Sequence, residues 1–190
     1  MSSIDKKQRK LNIQKYQKDF PLKGTKIQLR SFVESDISSE YISWLNDKNI
    51  VRYSNQRFIS HSFNSVTEYF NSFKYSPNLF LTIEDLITKH PVGTMTLHVQ
   101  PFHRTVDVGI LLGKPGNGFG KEAWCLAIVW LIEVCSVRKV TAGCLSSNLA
   151  MIRLMQSSGM YKDGTRISQE LVDNTPQDIV YYAKFQNDKY

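Results

Sequence analysis

Four glycines, Gly113, Gly116, Gly118 and Gly120, fall within an eight-residue stretch. Strand-forming residues precede them (Val106, Val108, Ile110, Leu111, Leu112), and an apolar run begins at Ala123. Spacing and composition read this as strand, glycine loop and helix. Closely spaced glycines let consecutive backbone N–H groups turn toward one point, and the first turn of the next helix adds unpaired amides and the positive end of its dipole. Such a concavity suits a phosphate. The plainer reading is a tight turn without a ligand.

The letters argue against two common phosphate loops. A Walker A loop needs Lys-Ser/Thr after its last glycine, and here Gly118 is followed by Phe119 and Gly120. A dinucleotide fingerprint fits superficially as Gly118-x-Gly120-x-x-Ala123, but the next strand, residues 139–145, ends without an acidic residue for a ribose hydroxyl. Cys125, Cys135 and Cys144 are odd in number and lack C-x-x-C spacing, so they read as buried apolar fillers rather than a disulfide framework or zinc site. His61, His90, His98 and His103 show no metal-ligand spacing either, and no metal is expected.

These residues need a scaffold, and the pattern supplies one from Lys26 onward. Residues 27–30 alternate as an opening strand. Asp36 or Ser35 can cap a helix whose apolar face is Ile37, Tyr41, Trp44 and Leu45. A second helix is expected over 65–75, stopped by Pro77, then strands at 79–83, 92–99 and 106–112. A long helix over 121–134, a strand at 139–145, a helix over 149–157 capped by Asn148, and strands near 165–172 and 178–185 complete the order. Strands and helices so arranged imply a mixed α/β sheet covered on both faces.

With 190 residues, 42% hydrophobic, the chain suits one domain at 26–190 behind a basic extension at 1–25. Residues 1–26 hold eight Lys or Arg against Asp5 and Asp19, and so carry six of the seven net positive charges. Such an arm could touch nucleic acid, but only Tyr16 and Phe20 interleave with its cations and no nucleic-acid motif is present. A solvated or partly helical tail is expected, and a nucleic-acid partner is not. The arm has no signal-peptide pattern, and the longest apolar run, 123–132, is half the ~20 residues a bilayer requires. A cytoplasmic protein without a membrane partner is expected.

Five landmarks occur in order: V-D-V-G-I at 106–110, G-F-G at 118–120, the strand R-K-V-T-A-G-C at 138–144, Asn148, and Gly159-Met160 followed by Asp163-Gly164. In this order, residues 106–164 resemble the acetyl-CoA-binding half of the GNAT N-acetyltransferase superfamily, most closely its RimJ/RimL-type subgroup. The resemblance implies a GNAT fold with a roughly seven-stranded, mostly antiparallel sheet. It further implies that the strands at 106–112 and 139–145 splay apart to admit the pantetheine arm of acetyl-CoA. The implied cofactor contacts are Val108, Ile110, Leu111, Leu112, Lys114, Gly116, Asn117, Gly118, Phe119, Gly120, Lys121 and Asn148.

By the same resemblance Asp107 stands where the subgroup often has Glu, and is the candidate general base for the acceptor amine, directly or through water. An ordinary solvent-side aspartate is the alternative. The chain departs from the family at Pro115, which replaces the loop's opening Arg or Gln, with Lys114 as the nearby charge. Met151 replaces the Ser of N-x-x-S, and Met155 replaces the Tyr used as general acid. Thiolate protonation would then fall to water, the incoming ammonium, Ser146, Ser147 or a tyrosine of the acceptor lip. Cys144 is a weaker alternative.

The fold's lip lies over residues 41–75, where Trp44, Tyr53, Gln56 and Arg57 are the candidate acceptor contacts. Aromatic rings mixed with amides suit a hydroxylated small-molecule amine, such as an amino sugar, free or carried on a nucleotide. Arg52 and Arg57 could hold a phosphate or carboxylate, or be surface charges. A protein N-terminus is the alternative acceptor, and a homodimer stays open. A catalytically silent CoA-binding module or an RNA-associated protein using the arm are the readings from other classes.

Overall fold

Alternate residues along several segments, among them Ile27 and Leu29, Met95 and Leu97, and Val106 and Val108, are almost wholly buried, the pattern of strands with one face on a core. The computed structural model describes residues 10–186. In chain order its elements are β1 (Leu22–Lys23), β2 (Ile27–Ser31), α1 (Ser39–Asn46), α2 (Phe63–Lys74), β3 (Leu79–Asp85), β4 (Pro91–Gln100), β5 (Thr105–Leu112), α3 (Phe119–Val129), β6 (Lys139–Leu145), α4 (Leu149–Ser157), β7 (Tyr161–Val172) and β8 (Thr175–Phe185). They form one eight-stranded sheet in the order β1-β2-β3-β4-β5-β6-β8-β7, antiparallel except at β5 and β6. The mixed sheet expected from sequence is present, with one strand more: the two-residue β1, too short to carry an alternation, pairs Leu22 with Leu29.

One face packs the apolar side of α3 and α4 on Leu81, Met95, Leu97 and Val140. The other packs α1 and α2 through Phe32, Tyr41, Trp44 and Phe80. The helix expected over 121–134 begins at Phe119 and ends in a wider π-helical turn, Trp130–Val134. Its Trp124 is fully buried, and the indole N–H donates to Ser158 Oγ at 3.2 Å, joining α3 to α4.

Three local expectations change for physical reasons. The cap of α1 is Ser38, whose Oγ accepts from Tyr41 N at 3.1 Å. Asp36 is unavailable because its carboxylate takes both guanidinium nitrogens of Arg30 at 2.7 Å and the Thr82 hydroxyl at 2.9 Å. The strand expected near 165–172 begins already at Tyr161, so Asp163-Gly164 lies within β7 at a register shift, and the β7–β8 hairpin closes at Asp173 and Asn174, both at positive φ. The arm is packed where it is described: Leu11 and Ile13 are in the core, and the ring of Phe20 lies 5.0 Å from that of Trp130. The tail is helical over Gln14–Asp19 and exposes Lys15, Gln17 and Lys18, but Leu11 and Ile13 anchor it to the core; residues 1–9 lie outside the described chain.

Candidate active site

The parallel pair is joined over three rungs only, Thr105 with Lys139, Val106 with Val140 and Asp107 with Thr141. Beyond them β5 runs on to Leu112 paired only with β4, and β6 runs on to Leu145 paired only with β8. On the β8 side of β6 the ring of Tyr181 covers Gly143, where a Cβ would come within 2.7 Å of Cε1. Alternate backbone N–H and C=O groups of Val108–Leu112 therefore face an opening instead of a strand, and buried groups of this kind need partners.

A cavity of about 240 Å³ lies at this opening, with Gly109, Ile110 and Leu111 of β5 on one side and Asn148 on another. Asn148 caps α4, its Oδ1 accepting from Met151 N at 3.1 Å, and it also lines the cavity. Tyr41, Tyr53, Tyr69, Gln56 and Thr94, with Ser54 and Thr96, provide the rest of its polar wall. Burial drives the Tyr41 phenol well above its ordinary pKa, more than its hydrogen bond with Thr94 lowers it, so it keeps its proton.

At the far end of β5 the chain turns through Gly116, Asn117 and Gly118, with φ of 116°, 52° and 78°. Among the described residues the N–H groups of Gly116, Asn117, Gly118, Gly120 and Lys121 have no acceptor, whereas Phe119 N and Glu122 N are satisfied. This is the unpaired amide cluster that the glycine spacing implies, set at the start of α3. A Cβ on Gly120 would meet Leu112 Cδ1 at 2.6 Å, so a side chain here would have to turn the tip of Leu112 aside.

Two residues invisible to sequence reasoning fix this loop. Lys26 Nζ donates to Asn117 O at 2.9 Å, which brings a cation to the amide cluster. Glu122 accepts from the Thr25 N–H, from Thr25 Oγ1 at 2.8 Å and from Lys26 N at 3.1 Å. Burial alone would raise the Glu122 pKa, but these donors together lower it. Both contacts span more than ninety residues, and no local pattern announces them.

Asp107 projects from the last shared rung, where Thr141 Oγ1 donates to its Oδ2 at 2.8 Å. Desolvation raises its pKa, only partly countered by Thr141 and by His98 across the β4–β5 ladder. It lines a second cavity of about 240 Å³ with Gly143, Glu170 and Tyr181, and Tyr53 borders both cavities. Ser146 is not brought to Asp107: its N–H donates to Asp178 O at 2.9 Å, and it lines neither cavity.

The other expected contacts divide in the same way. The side chains of Val108 and Phe119 are buried in the core, which leaves only their backbone to meet a ligand, and Ile110 and Leu112 pack against that core. Lys114 turns to Glu40, Nζ to Oε1 at 2.7 Å. Trp44 is corrected from acceptor contact to packing residue: it is buried among Tyr41, Phe73 and Phe80, and its indole covers Gly113. Tyr53 and Gln56 reach the cavity. Arg57 is instead held by Ser54 O at 2.9 Å and Leu171 O at 3.1 Å. Met155 is fully buried among core residues.

A strand parting from its parallel neighbour above a cluster of free amides is the scaffold that the family resemblance implies. A family model described as acetyltransferase (GNAT) domain matches residues 26–161, and the chain belongs to that family. It is thus an enzyme of the acetyltransferase class. No curated protein matches its sequence.

Solved structures share the fold at low identity. An acetyltransferase of the GNAT family from Bacillus anthracis superimposes with a TM-score of 0.75 at 17% identity, over 87% of this chain and 98% of that one. Spermidine N-acetyltransferase from Vibrio cholerae, in complex with CoA and spermine, gives 0.77 at 18% identity over 86% and 97%. A GCN5-related N-acetyltransferase from Brucella melitensis gives 0.70 at 14% identity over 87% and 78%. Among the described residues no group of three or more metal-ligating side chains occurs, and no helix is long and apolar enough to cross a membrane.

Proposed function

We propose that residues 26–190 transfer the acetyl group of acetyl-CoA to a primary amine by direct attack in a ternary complex, and that the acceptor is a compact hydroxylated amine of the amino-sugar kind. The observation that carries this reading is the unpaired length of β5, which lines a polar cavity and ends at five amides without acceptors. Those amides, with Lys26 beside them, fit a diphosphate, and the free edge of Val108–Leu112 fits an amide-containing arm laid along it. When bound, acetyl-CoA supplies the activated acyl carbon and a thiolate leaving group.

The chain's own groups do the rest. A free N–H on β5 polarises an acyl oxygen placed beside the strand. Asp107, its pKa raised by desolvation, takes the proton of the acceptor ammonium through water, because it lies in the adjoining cavity rather than in the acceptor cavity itself. Tyr53 borders both cavities and is the lip tyrosine assigned to thiolate protonation, a task buried Met155 cannot perform. Holding the reactants together supplies several kcal/mol of the barrier reduction.

Tyrosine rings and neutral hydrogen-bonding groups favour a hydroxylated ring. The neighbour solved with spermine suggests a polyamine acceptor, but no carboxylate lines the acceptor cavity. A protein N-terminus, as in RimJ/RimL-type members, is the remaining acceptor. Acetyl-CoA as donor agrees with the cytoplasmic setting expected from sequence. A thiol-release assay over amino sugars, polyamines and N-terminal peptides tests the reading. Fastest turnover of amino sugars supports it, and cofactor binding without thiol release from any amine overturns it.

A further inference from the structure

Tyr53 borders a third cavity, larger than the acceptor cavity at about 660 Å³ and opening beside it. Its charged lining is Lys48, Arg52, Arg57 and Asp173. Arg57 is already engaged by two carbonyls and by Glu170 at 3.7 Å. Lys48 and Arg52 have no carboxylate partner among the described residues. The Arg52 guanidinium sits 4.5 Å from the centroid of the Tyr53 ring, which ties this cation to the wall shared with the acceptor cavity. Ser147, Thr175 and Gln177 add neutral hydrogen-bonding groups. Two unmatched cations, one with a planar fork suited to phosphate, stand where an acceptor would emerge from the cavity.

Resting on the proposed acetyl transfer, we infer that the natural acceptor carries a phosphate group at the end remote from its amine, and that Arg52 and Lys48 receive this group in the cavity beyond Tyr53. A polyamine would place positive charge against the same two side chains, so the subsite selects against it. The amine end stays at the β5 opening, while the phosphate sets which hydroxylated amines enter.

The test measures thiol release by the full chain with acetyl-CoA and three probes: glucosamine, glucosamine 6-phosphate, whose phosphate lies across the ring from its amine, and spermidine. The phosphorylated sugar is expected to exceed glucosamine in kcat/KM by about tenfold, carried mainly by KM and shrinking as salt rises. Arg52→Gln and Lys48→Gln change exposed side chains and should fold. Each is expected to lower the preference, and the double variant to bring it near one. Equal turnover of the two sugars, a preference that survives in the double variant, or faster turnover of spermidine overturns the subsite. Absence of thiol release from every amine counts against the transferase reading instead. Calorimetry on the CoA-loaded protein then decides the subsite: tighter binding of glucosamine 6-phosphate than of glucosamine, lost in the double variant, supports it, and equal or no binding overturns it.

Discussion

The indole of Trp44 lies on Gly113 so closely that no Cβ fits between them. Gly113 N and Lys114 N both donate to Val92 O, at 3.0 and 3.2 Å, so the end of β5, the glycine loop and α1 meet at this point. Gly113→Ala is expected to destabilise the protein by about 1–3 kcal/mol, because the methyl must displace a buried ring. Trp44→Ala should cost about 3–5 kcal/mol and loosen the loop. Thermal unfolding and CoA titration check both, and a wild-type melting temperature for Gly113→Ala would refute the packing role.

The loop separates charge from conformation. Lys26→Ala removes the cation that anchors Asn117 O and should weaken CoA binding about tenfold with little change in fold. Gly118→Ala meets no clash, the nearest atom being Lys26 Nζ at 3.9 Å, but it forces an alanine to a φ of 78°. That conformation costs about 1–2 kcal/mol. Calorimetry should therefore find the weaker affinity in Lys26→Ala at a nearly unchanged melting temperature, and thermal unfolding should find the lower melting temperature in Gly118→Ala.

Asp107 makes a pH prediction. Its folded pKa is raised by desolvation, so between the unfolded and folded values the folded state holds the extra proton, and stability falls as pH rises through that window. Asp107→Asn should relieve that cost while slowing turnover. Catalysis needs the ionised form, so kcat/KM rises with pH through the folded pKa. Thr141→Val removes the hydrogen bond that partly offsets desolvation, and should shift the acid limb of the pH profile upward. An unmoved limb in Thr141→Val, or undiminished turnover in Asp107→Asn, would take Asp107 out of the mechanism.

The order of elements along the chain and the amide cluster were legible because they rest on local patterns: alternation in β4 and β5, glycine spacing at 113–120, and Asn148 ahead of a helical apolar face, whereas the splayed strand pair came from the family resemblance. Side-chain roles set by distant contacts were not. Trp44 resembles a lip aromatic until α1 is seen to bury it, and Arg57 resembles a free cation until β7 supplies Leu171 O and Glu170. Lys26 and Glu122 carry no motif at all, since their partners lie on the other side of the sequence. The packed arm was hidden by its charge: Leu11 and Ile13 are two apolar residues among many lysines.

Arg30 and Asp36 bind the start of α1 to the sheet. The guanidinium takes Asp36 through two bonds of 2.7 Å and Glu84 through Nε at 2.6 Å. Burial by itself would raise the Asp36 pKa, but Arg30, Val33 N and Thr82 outweigh it and lower the value. The stabilisation is therefore complete above the unfolded carboxylate range near ~4 and disappears as pH falls through the lower folded pKa. Asp36→Asn should cost roughly 3 kcal/mol at neutral pH, because the part-buried Arg30 loses its two-bond carboxylate and keeps only Glu84. Denaturant melts at falling pH should converge for the two proteins, and parallel curves would show that Asp36 does not titrate with folding.

Met155 and Tyr53 decide where the thiolate obtains its proton. Met155 is fully buried between α4 and the sheet, so Met155→Tyr adds a ring and a hydroxyl to a filled site and should cost about 1–3 kcal/mol without raising turnover. Tyr53→Phe keeps the aromatic wall of both cavities and loses only the hydroxyl, so it should lower kcat on the order of a hundredfold while leaving CoA affinity intact. Steady-state rates with calorimetric CoA binding distinguish the two variants. Full activity in Tyr53→Phe would return the proton to solvent or to the incoming ammonium, and a gain in Met155→Tyr would mean that α4 shifts to expose position 155.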